Sequence, residues 1–359
     1  MQDSKAIALY RELLKEISSG KYQPLGVFPS ECALARRFHV ARGTVRSAKK
    51  MLEKNGLLCA RRGSGTSVVG CTESCQSIGV LVSGCRYTEI FRCIGKVICE
   101  RGADAGLRVL LGDASRLNAQ DAPPYAFDVA GRFLKAGVQG VIVQPLEFIP
   151  DAAEKNVRLM SMFDEAEIPA VLLDCGIVGP DGRSAYDRIG IDNYMAGCLV
   201  GRHLAECGAK SVLCCASPFN PESVRNRFAG VRSVVPSVHE LEAAPNDFSS
   251  LRRALSEHPD TNAIVCQNDV YAVGVMALLR RMKKTVPADV MVAGFDGLNL
   301  SRLCTPTLTT ISQPVDEIAM VALDCLQRRI AGCSLPPADI SLHAPLVVQK
   351  STACKKRRS

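Results

Sequence analysis

Apolar residues in the first fifth of the chain recur at helical spacing. Ile7, Leu9, Leu13, Leu14 and Ile17 lay out one amphipathic helix, Leu34, Ala35 and Phe38 a short second one, and Val45, Ala48 and Leu52 a third. Only His39 to Ala41 separates the second from the third, which predicts a helix-turn-helix. Its entry is Pro29-Ser30-Glu31, where the Ser30 hydroxyl can cap the first amide groups and Glu31 suits the positive end of the helix dipole. The third helix begins at Arg42 and stops at Asn55-Gly56. Leu57 to Val69 then sets Arg61-Arg62-Gly63-Ser64-Gly65-Thr66 between two short apolar runs, the pattern of a β-hairpin wing.

Beyond Ser77 the period changes. Short β-rich runs at Ile78 to Val82, Leu107 to Leu111, Val141 to Val143, Ala170 to Leu173, Arg188 to Ile191, Ser211 to Cys215, Ala263 to Cys266 and Val290 to Ala293 alternate with helical stretches. Such alternation predicts parallel sheets covered on both faces. Several strand-helix units fall on either side of residue 180, which predicts an α/β core of two Rossmann-like lobes with a ligand crevice at the carboxyl ends of the strands. The expected division is a winged helix-turn-helix (α+β) domain at 1–69, a polar linker at 70–76, the core at 77–352 and a basic tail at 353–359.

Charge separates the same regions. Residues 1–70 hold 13 Lys or Arg against 5 Asp or Glu, so their net charge equals the +8 of the whole chain. A basic module on a near-neutral body is the electrostatic footprint of a protein that docks one end on phosphates. No apolar run is long enough to span a bilayer and no signal-peptide core opens the chain, so a cytoplasmic protein with no membrane partner is expected. The 17 cysteines are odd in number, and Cys93, Cys99, Cys198, Cys214, Cys215 and Cys266 lie in apolar segments, where they are expected as buried free thiols. Cys71 with Cys75 comes nearest to a metal-ligand pair, and no Cys or His pair at zinc spacing answers it. Neither a metal nor another cofactor is expected.

Residues 5–69 resemble the winged-helix DNA-binding domain of the GntR family of bacterial transcription regulators. The match runs through Pro29-Ser30-Glu31, Leu34-Ala35, Arg42-Gly43-Thr44-Val45-Arg46, Leu52, Gly56-Leu57 and Arg62-Gly63-Ser64-Gly65-Thr66. Residues 77–352 are similar to the effector-binding core of the LacI/GalR family, of the periplasmic-binding-protein-like type I fold. That likeness rests on Gly140 to Pro145, Asp192-Asn193 with Gly197, Arg225 and Arg227 before Gly230, Asn268-Asp269 with Ala272 and Gly274, Val292 to Asp296, and Pro306 to Ile311 with Gln313. The pairing resembles the arabinose-responsive subgroup of GntR regulators.

The resemblance implies that Arg42 and Arg46 meet the major groove, where an arginine can donate two hydrogen bonds to guanine. Thr44, Ser47, Lys49 and Lys50 would take phosphates or flanking contacts. Gly63, Ser64 and Gly65 would bring the wing backbone to the minor groove, with Arg61 or Arg62 reaching phosphates. Cys32 departs from the basic residue common in the family and puts base preference on that flank in doubt. In the core, the resemblance places ligand contacts on Asp174, Arg227, Asn268, Asp296 and Gln313, groups that between them accept from hydroxyls and donate to them. Phe248 is the implied stacking aromatic and Phe91 a second candidate, while Asp192 and Asp269 are expected as helix caps.

The expected protein is a homodimeric regulator of transcription, a repressor, bound to a double-stranded DNA operator and controlled allosterically by a sugar-like effector. Three alternatives stay open: a nucleobase effector, a phosphosugar effector, or a carbohydrate-binding or processing protein with no regulatory role. Against an enzyme, the chain has no Gly-x-Ser-x-Gly, His-Glu-x-x-His or Walker-type motif. Gly63 and Gly65 do not open a dinucleotide fingerprint either, since its third glycine position is Val68.

Overall fold

The computed structural model describes residues 2–18, 21–22, 28–54, 58–61, 65–68, 76–82, 89–114, 122–177 and 184–352, in two units, Met1–Gln76 and Ser77–Ser359. Asn55-Gly56, residues 70–75 with Cys71 and Cys75, and the tail 353–359 lie outside the described residues.

The first unit consists of helices α1 (Gln2–Ser18), α2 (Glu31–Arg37) and α3 (Arg42–Lys54) and a hairpin of β1 (Leu58–Arg61) and β2 (Gly65–Val68). The strands pair antiparallel, Leu58 opposite Val68 and Arg61 opposite Gly65. Leu9, Leu13, Ile17, Phe28, Leu34, Val45, Ala48, Leu52, Leu58 and Val68 form one buried cluster, as the helical spacing required. Ile7 is the exception and faces solvent. Ser30 caps α2, its Oγ accepting from the Ala33 amide at 3.2 Å. The Phe28 amide donates to the Thr66 carbonyl at 2.7 Å, which ties the entry of α2 to the wing.

The second unit holds two six-stranded sheets. Its elements are β3 (Ser77–Val82), α4 (Ile90–Asp104), β4 (Arg108–Asp113), α5 (Ala122–Ala136), β5 (Gly140–Val143), α6 (Ala152–Asp164), β6 (Ala170–Leu173), β7 (Asp187–Ile191), α7 (Asn193–Glu206), β8 (Ser211–Ala216), α8 (Glu222–Arg232), β9 (Ser237–Glu242), α9 (Phe248–Glu257), β10 (Ala263–Cys266), α10 (Asp269–Arg281), β11 (Met291–Asp296), α11 (Asn299–Leu303), β12 (Thr309–Ser312), α12 (Val315–Ile330), β13 (Asp339–Leu342) and β14 (Leu346–Val347). The first sheet runs β13-β7-β6-β5-β3-β4 and is parallel throughout. The second runs β14-β12-β11-β10-β8-β9, parallel except for β14. Strands β5, β6 and β10 are buried along their whole length, because helices cover both faces of each sheet.

The chain passes between the sheets after β7, after β12 and after β13. The two lobes are therefore not two continuous halves of the core. β7 and β13 complete the first sheet, and α12 packs on β5, β6 and β7 although its sequence neighbour β12 belongs to the second. Periodicity identifies a strand but does not say which sheet buries it, and the predicted series also stops short of everything after β11. Of the expected buried thiols, Cys198, Cys214, Cys215 and Cys266 are buried, whereas Cys93 is exposed and Cys99 half-buried; Cys207, outside that set, is disulfide-bonded.

Candidate functional site

In the first unit α3 exposes Arg42, Gly43, Arg46, Ser47 and Lys50. Two expected surface contacts turn inward. Thr44 and Lys49 are buried, and Lys49 Nζ donates to Thr66 Oγ1 at 2.9 Å, so this lysine braces the wing instead of standing free for a phosphate. The reason is position: Lys49 follows Ala48 at the edge of the core face, and its aliphatic stem covers apolar surface. Arg46 is engaged by Glu31 at 3.1 Å, and its hydrogen bond holds the Glu31 carboxyl below the usual range. Glu16 takes hydrogen bonds from Arg37, Lys21 and Tyr22, of which Arg37 contributes most, and its carboxyl is brought down to about 2. Gly65 opens β2; Arg62, Gly63, Ser64 and the Arg61 side chain lie outside the described residues.

In the second unit the site begins with two glycines. A Cβ on Gly197 of α7 would stand 2.0 Å from the Arg227 carbonyl oxygen, and one on Gly230 of α8 2.1 Å from that of Tyr194, so the helices touch backbone to backbone. That contact sets Asn193 against Arg227. Arg227 Nε donates to Asn193 Oδ1 at 2.8 Å and Nη1 to the Gln267 carbonyl at 2.7 Å, with the guanidinium 4.8 Å from the Phe295 ring centre. Asn193 Nδ2 donates to Asp174 Oδ1 at 3.4 Å. On the other side Asp296 Oδ1 lies 4.0 Å from Arg227 Nη1 and accepts from Gln313 Nε2 at 2.8 Å.

Asp174 follows β6 of the first sheet, while Asp296 ends β11 and Gln313 follows β12 of the second. The network thus bridges the carboxyl ends of both sheets, where open α/β folds place ligands. Asp174 and Asp296 stand at φ +64° and +110°. A non-glycine residue held there costs about 1–3 kcal/mol, and such positions collect at ligand sites.

Burial dominates the electrostatics of this crevice. Glu147, four residues past β5, is 7% exposed; its Oε2 accepts from Gln144 Nε2 at 3.2 Å and its Oε1 has no partner. Desolvation first, and then the Asp174 charge, push the Glu147 carboxyl up to about 8. Desolvation lifts Asp296 to about 7 against the pull of Arg227. Asp269 rises to about 8 through burial and the Asp296 charge, although Thr310 Oγ1 and the Leu298 amide donate to it at 2.6 and 2.8 Å. The Cys175 thiol is raised by burial and donates to Asp174 Oδ2 at 3.7 Å.

Phe91, Asp174, Arg227, Asn268, Asp296 and Gln313 all line one small space of about 20 Å³. Glu147, Phe148, Phe219 and Arg225 border an adjoining cavity of about 620 Å³, and Asp174, Arg188, Asn193 and Glu222 another of about 1020 Å³. Phe248 is not brought to the cluster. It opens α9, whose buried Leu251, Ala254 and Leu255 draw it to the flank of the second sheet, and it packs under Arg281 at 4.6 Å. The exposed aromatic beside the crevice is Phe219, on the β8–α8 loop.

Capping also differs in part from expectation. Asp192 caps α7, but the cap of α10 is Asn268, accepting from the Tyr271 amide at 2.9 Å, while Asp269 points to Thr310. Glu147, Asn193, Gln267 and Phe219 were not predicted as site residues. Glu147 and Phe219 could have been found by reading past each strand's carboxyl end. Glu147, Asp174 and Cys175 also bring one ligand atom each within 4.8 Å of one another, a donor set able to hold a cation.

Residues 5–68 match the family model described as bacterial regulatory proteins, gntR family, and residues 202–352 match the periplasmic binding protein-like domain. The chain is 27% identical over 291 residues to the ribose operon repressor of Escherichia coli (strain K12), covering 77% of this chain and 82% of that protein. It is also 27% identical over 293 residues to the HTH-type transcriptional repressor PurR of Klebsiella pneumoniae (strain 342), covering 77% and 80%. A solved complex of the transcriptional regulator CelR with cellobiose shares the fold, with TM-score 0.65 at 20% identity over 90% of this chain and 100% of that one. Among the described residues no helix is long and apolar enough to cross a membrane.

Proposed function

Because the chain joins a GntR-type helix-turn-helix domain to a two-lobed periplasmic-binding-protein-like core, we propose that it is a DNA-binding transcriptional regulator, a repressor, whose affinity for its operator is set by a small-molecule effector held between the lobes. The observation that carries this reading is the buried chain Asp174–Asn193–Arg227–Asp296–Gln313 across the two sheets. Groups from both lobes share it, so a ligand that contacts them couples the lobes energetically. We place the DNA-binding domain at 1–69, the linker at 70–76 and the core at 77–352, supported by the division of the chain at Gln76.

The effector class is a sugar or sugar derivative. Buried carboxylates, amides and one guanidinium suit a polyhydroxylated ligand, and the names of the ribose and cellobiose proteins agree with it. A nucleobase effector is the second reading, kept open because the chain is as similar to the transcriptional repressor PurR as to the ribose operon repressor. The working unit is a homodimer on two half-sites of double-stranded DNA. Fluorescence anisotropy with operator DNA, with and without a bound ligand, tests the proposal. By linkage the ligand must shift DNA affinity by the factor by which DNA shifts ligand affinity. A ligand that binds in the crevice and leaves operator affinity unchanged defeats the reading.

A further inference from the structure

Glu147 is surplus to the hydroxyl-binding network. The small space at the centre of the crevice is faced by three carboxyl groups, Glu147, Asp174 and Asp296, with Asp269 beside them, and among the described residues by the single guanidinium of Arg227. Arg227 is committed to Asn193, the Gln267 carbonyl and the Asp296 side. Arg188 approaches Asp174 but donates to its backbone oxygen at 2.8 Å and otherwise to Asp339 and Ser341. Arg225 donates to the Asn220 carbonyl at 2.6 Å. None of these cations reaches Glu147 Oε1, which is buried and has no hydrogen-bond partner.

We propose that the effector carries a positively charged amino group, seated between Glu147 and Asp174, and therefore belongs to the amino sugars and related amino-polyols. This deepens the reading of the crevice as the effector site and rests on it. A buried carboxyl oxygen with no partner is costly, and a charged donor that lets Glu147 ionise against it is the partner which removes that cost most completely. The rest of the cluster is suited to hydroxyls. Gln267 Nε2 is a second buried orphan, a donor in need of a ligand oxygen, and Asp296, Asn268 and Gln313 line the same space. Phe219, 58% exposed on the adjoining cavity of about 620 Å³, offers a face for the apolar side of a sugar ring.

A bare metal ion is the competing occupant of Glu147, Asp174 and Cys175. The ammonium is favoured because the Cys175 thiol serves as a donor to Asp174, which a metal-bound thiolate could not do. The cluster is moreover continuous with amides that recognise an organic ligand.

The test is thermal unfolding of the full chain with D-glucosamine, D-galactosamine, D-mannosamine and 1-amino-1-deoxy-D-sorbitol. Their hydroxyl parents and N-acetyl derivatives are run beside them, together with Ca²⁺, Mn²⁺ and Zn²⁺ with and without EDTA. At least one amine should raise Tm by about 5 °C at a hundred times its Kd, and bind about tenfold or more tighter than its parent. In Glu147→Gln that preference should fall to about twofold or less while the parent still binds. The free Glu147→Gln protein should unfold at or above the wild-type Tm.

The proposal fails if no amine shifts Tm, if a parent sugar matches every amine, or if a divalent ion gives the shift and EDTA reverses it. It fails equally if the free Glu147→Gln protein loses several degrees, since Glu147 would then be structural. A neutral sugar or a purine that binds and changes operator affinity removes the amine and leaves the regulator standing. Binding without any change at the operator removes the regulator itself.

Discussion

Glu16 and Glu147 are the same residue type in opposite surroundings. In the helix-turn-helix unit Glu16 is ringed by Arg37, Lys21 and Tyr22 and its carboxyl is held down to about 2. In the crevice Glu147 is cut off from water with Asp174 beside it and rises to about 8. The basic unit pairs Glu16 and Glu31 internally and leaves Arg42 and Lys50 facing outward. The core gathers acids that its own cations do not balance. One region has positive charge to spare for phosphates, and the other has buried carboxyl groups, held largely protonated by desolvation, for a ligand to meet.

The strongest way to break this contrast is to take Arg227 from the crevice. Arg227→Ala leaves the carboxyls of Asp174 and Asp296 beside an unneutralised gap and should cost the core about 3–5 kcal/mol, read from its urea midpoint. An unchanged midpoint would show that the acids there are already neutral or hydrated.

Next in size is the dependence on pH, which should run in opposite directions in the two units. Glu147 and Asp269 move from ordinary values of 4.5 and 3.8 to about 8, and Asp296 from 3.8 to about 7. Their folded-state values are raised, so the protonated forms are preferred. Their contribution is full below about pH 4 and is lost as pH rises through 7 to 8. Glu16 is depressed from 4.5 to about 2, so its contribution is present above 4.5 and is lost as pH falls toward 2. The Tm of the core between pH 5 and 9 should decline, and Glu147→Gln should flatten the decline. A core Tm that climbs over that range contradicts the assignment.

At the DNA end we expect Arg42→Ala to lose about 1–3 kcal/mol of discrimination between operator and random DNA. Equal losses on both would reduce Arg42 to a phosphate contact. The smallest effect separates two neighbouring lysines. Lys49→Ala should cost about 1 kcal/mol of stability through its lost bond to Thr66 and leave the salt dependence of binding unchanged. Lys50→Ala should instead lower the slope of log K against log salt by about 0.9. A salt slope that changes with Lys49 and not with Lys50 would reverse the two roles.

Much of the candidate site was legible through the family resemblance and the motifs that carry it. Asp174, Arg227, Asn268, Asp296 and Gln313 come together from five separate segments, as does Phe91, whose burial agrees with its place on an apolar helix face. Phe248 was not legible, since an aromatic at the start of an amphipathic helix packs wherever the helix does. Lys49 was misjudged for a related reason: charge says nothing about where a long side chain lays its stem. Asn268 and Asp269 exchanged parts because adjacent residues at a helix start can both cap, and the geometry of the turn selects one.

The sequence by itself determined the helix-turn-helix, the basic end of the molecule and the alternation of strands and helices, since these depend on local period and on charge that no folding can remove. Only the tertiary structure decided that β7 and β13 belong to the first sheet, that Gly197 and Gly230 let α7 and α8 meet, and that Glu147 is buried beside Asp174 with an oxygen left over. Burial is a property of what packs around a group. A carboxylate's neighbours, and with them its charge, are therefore set by segments far away in the chain.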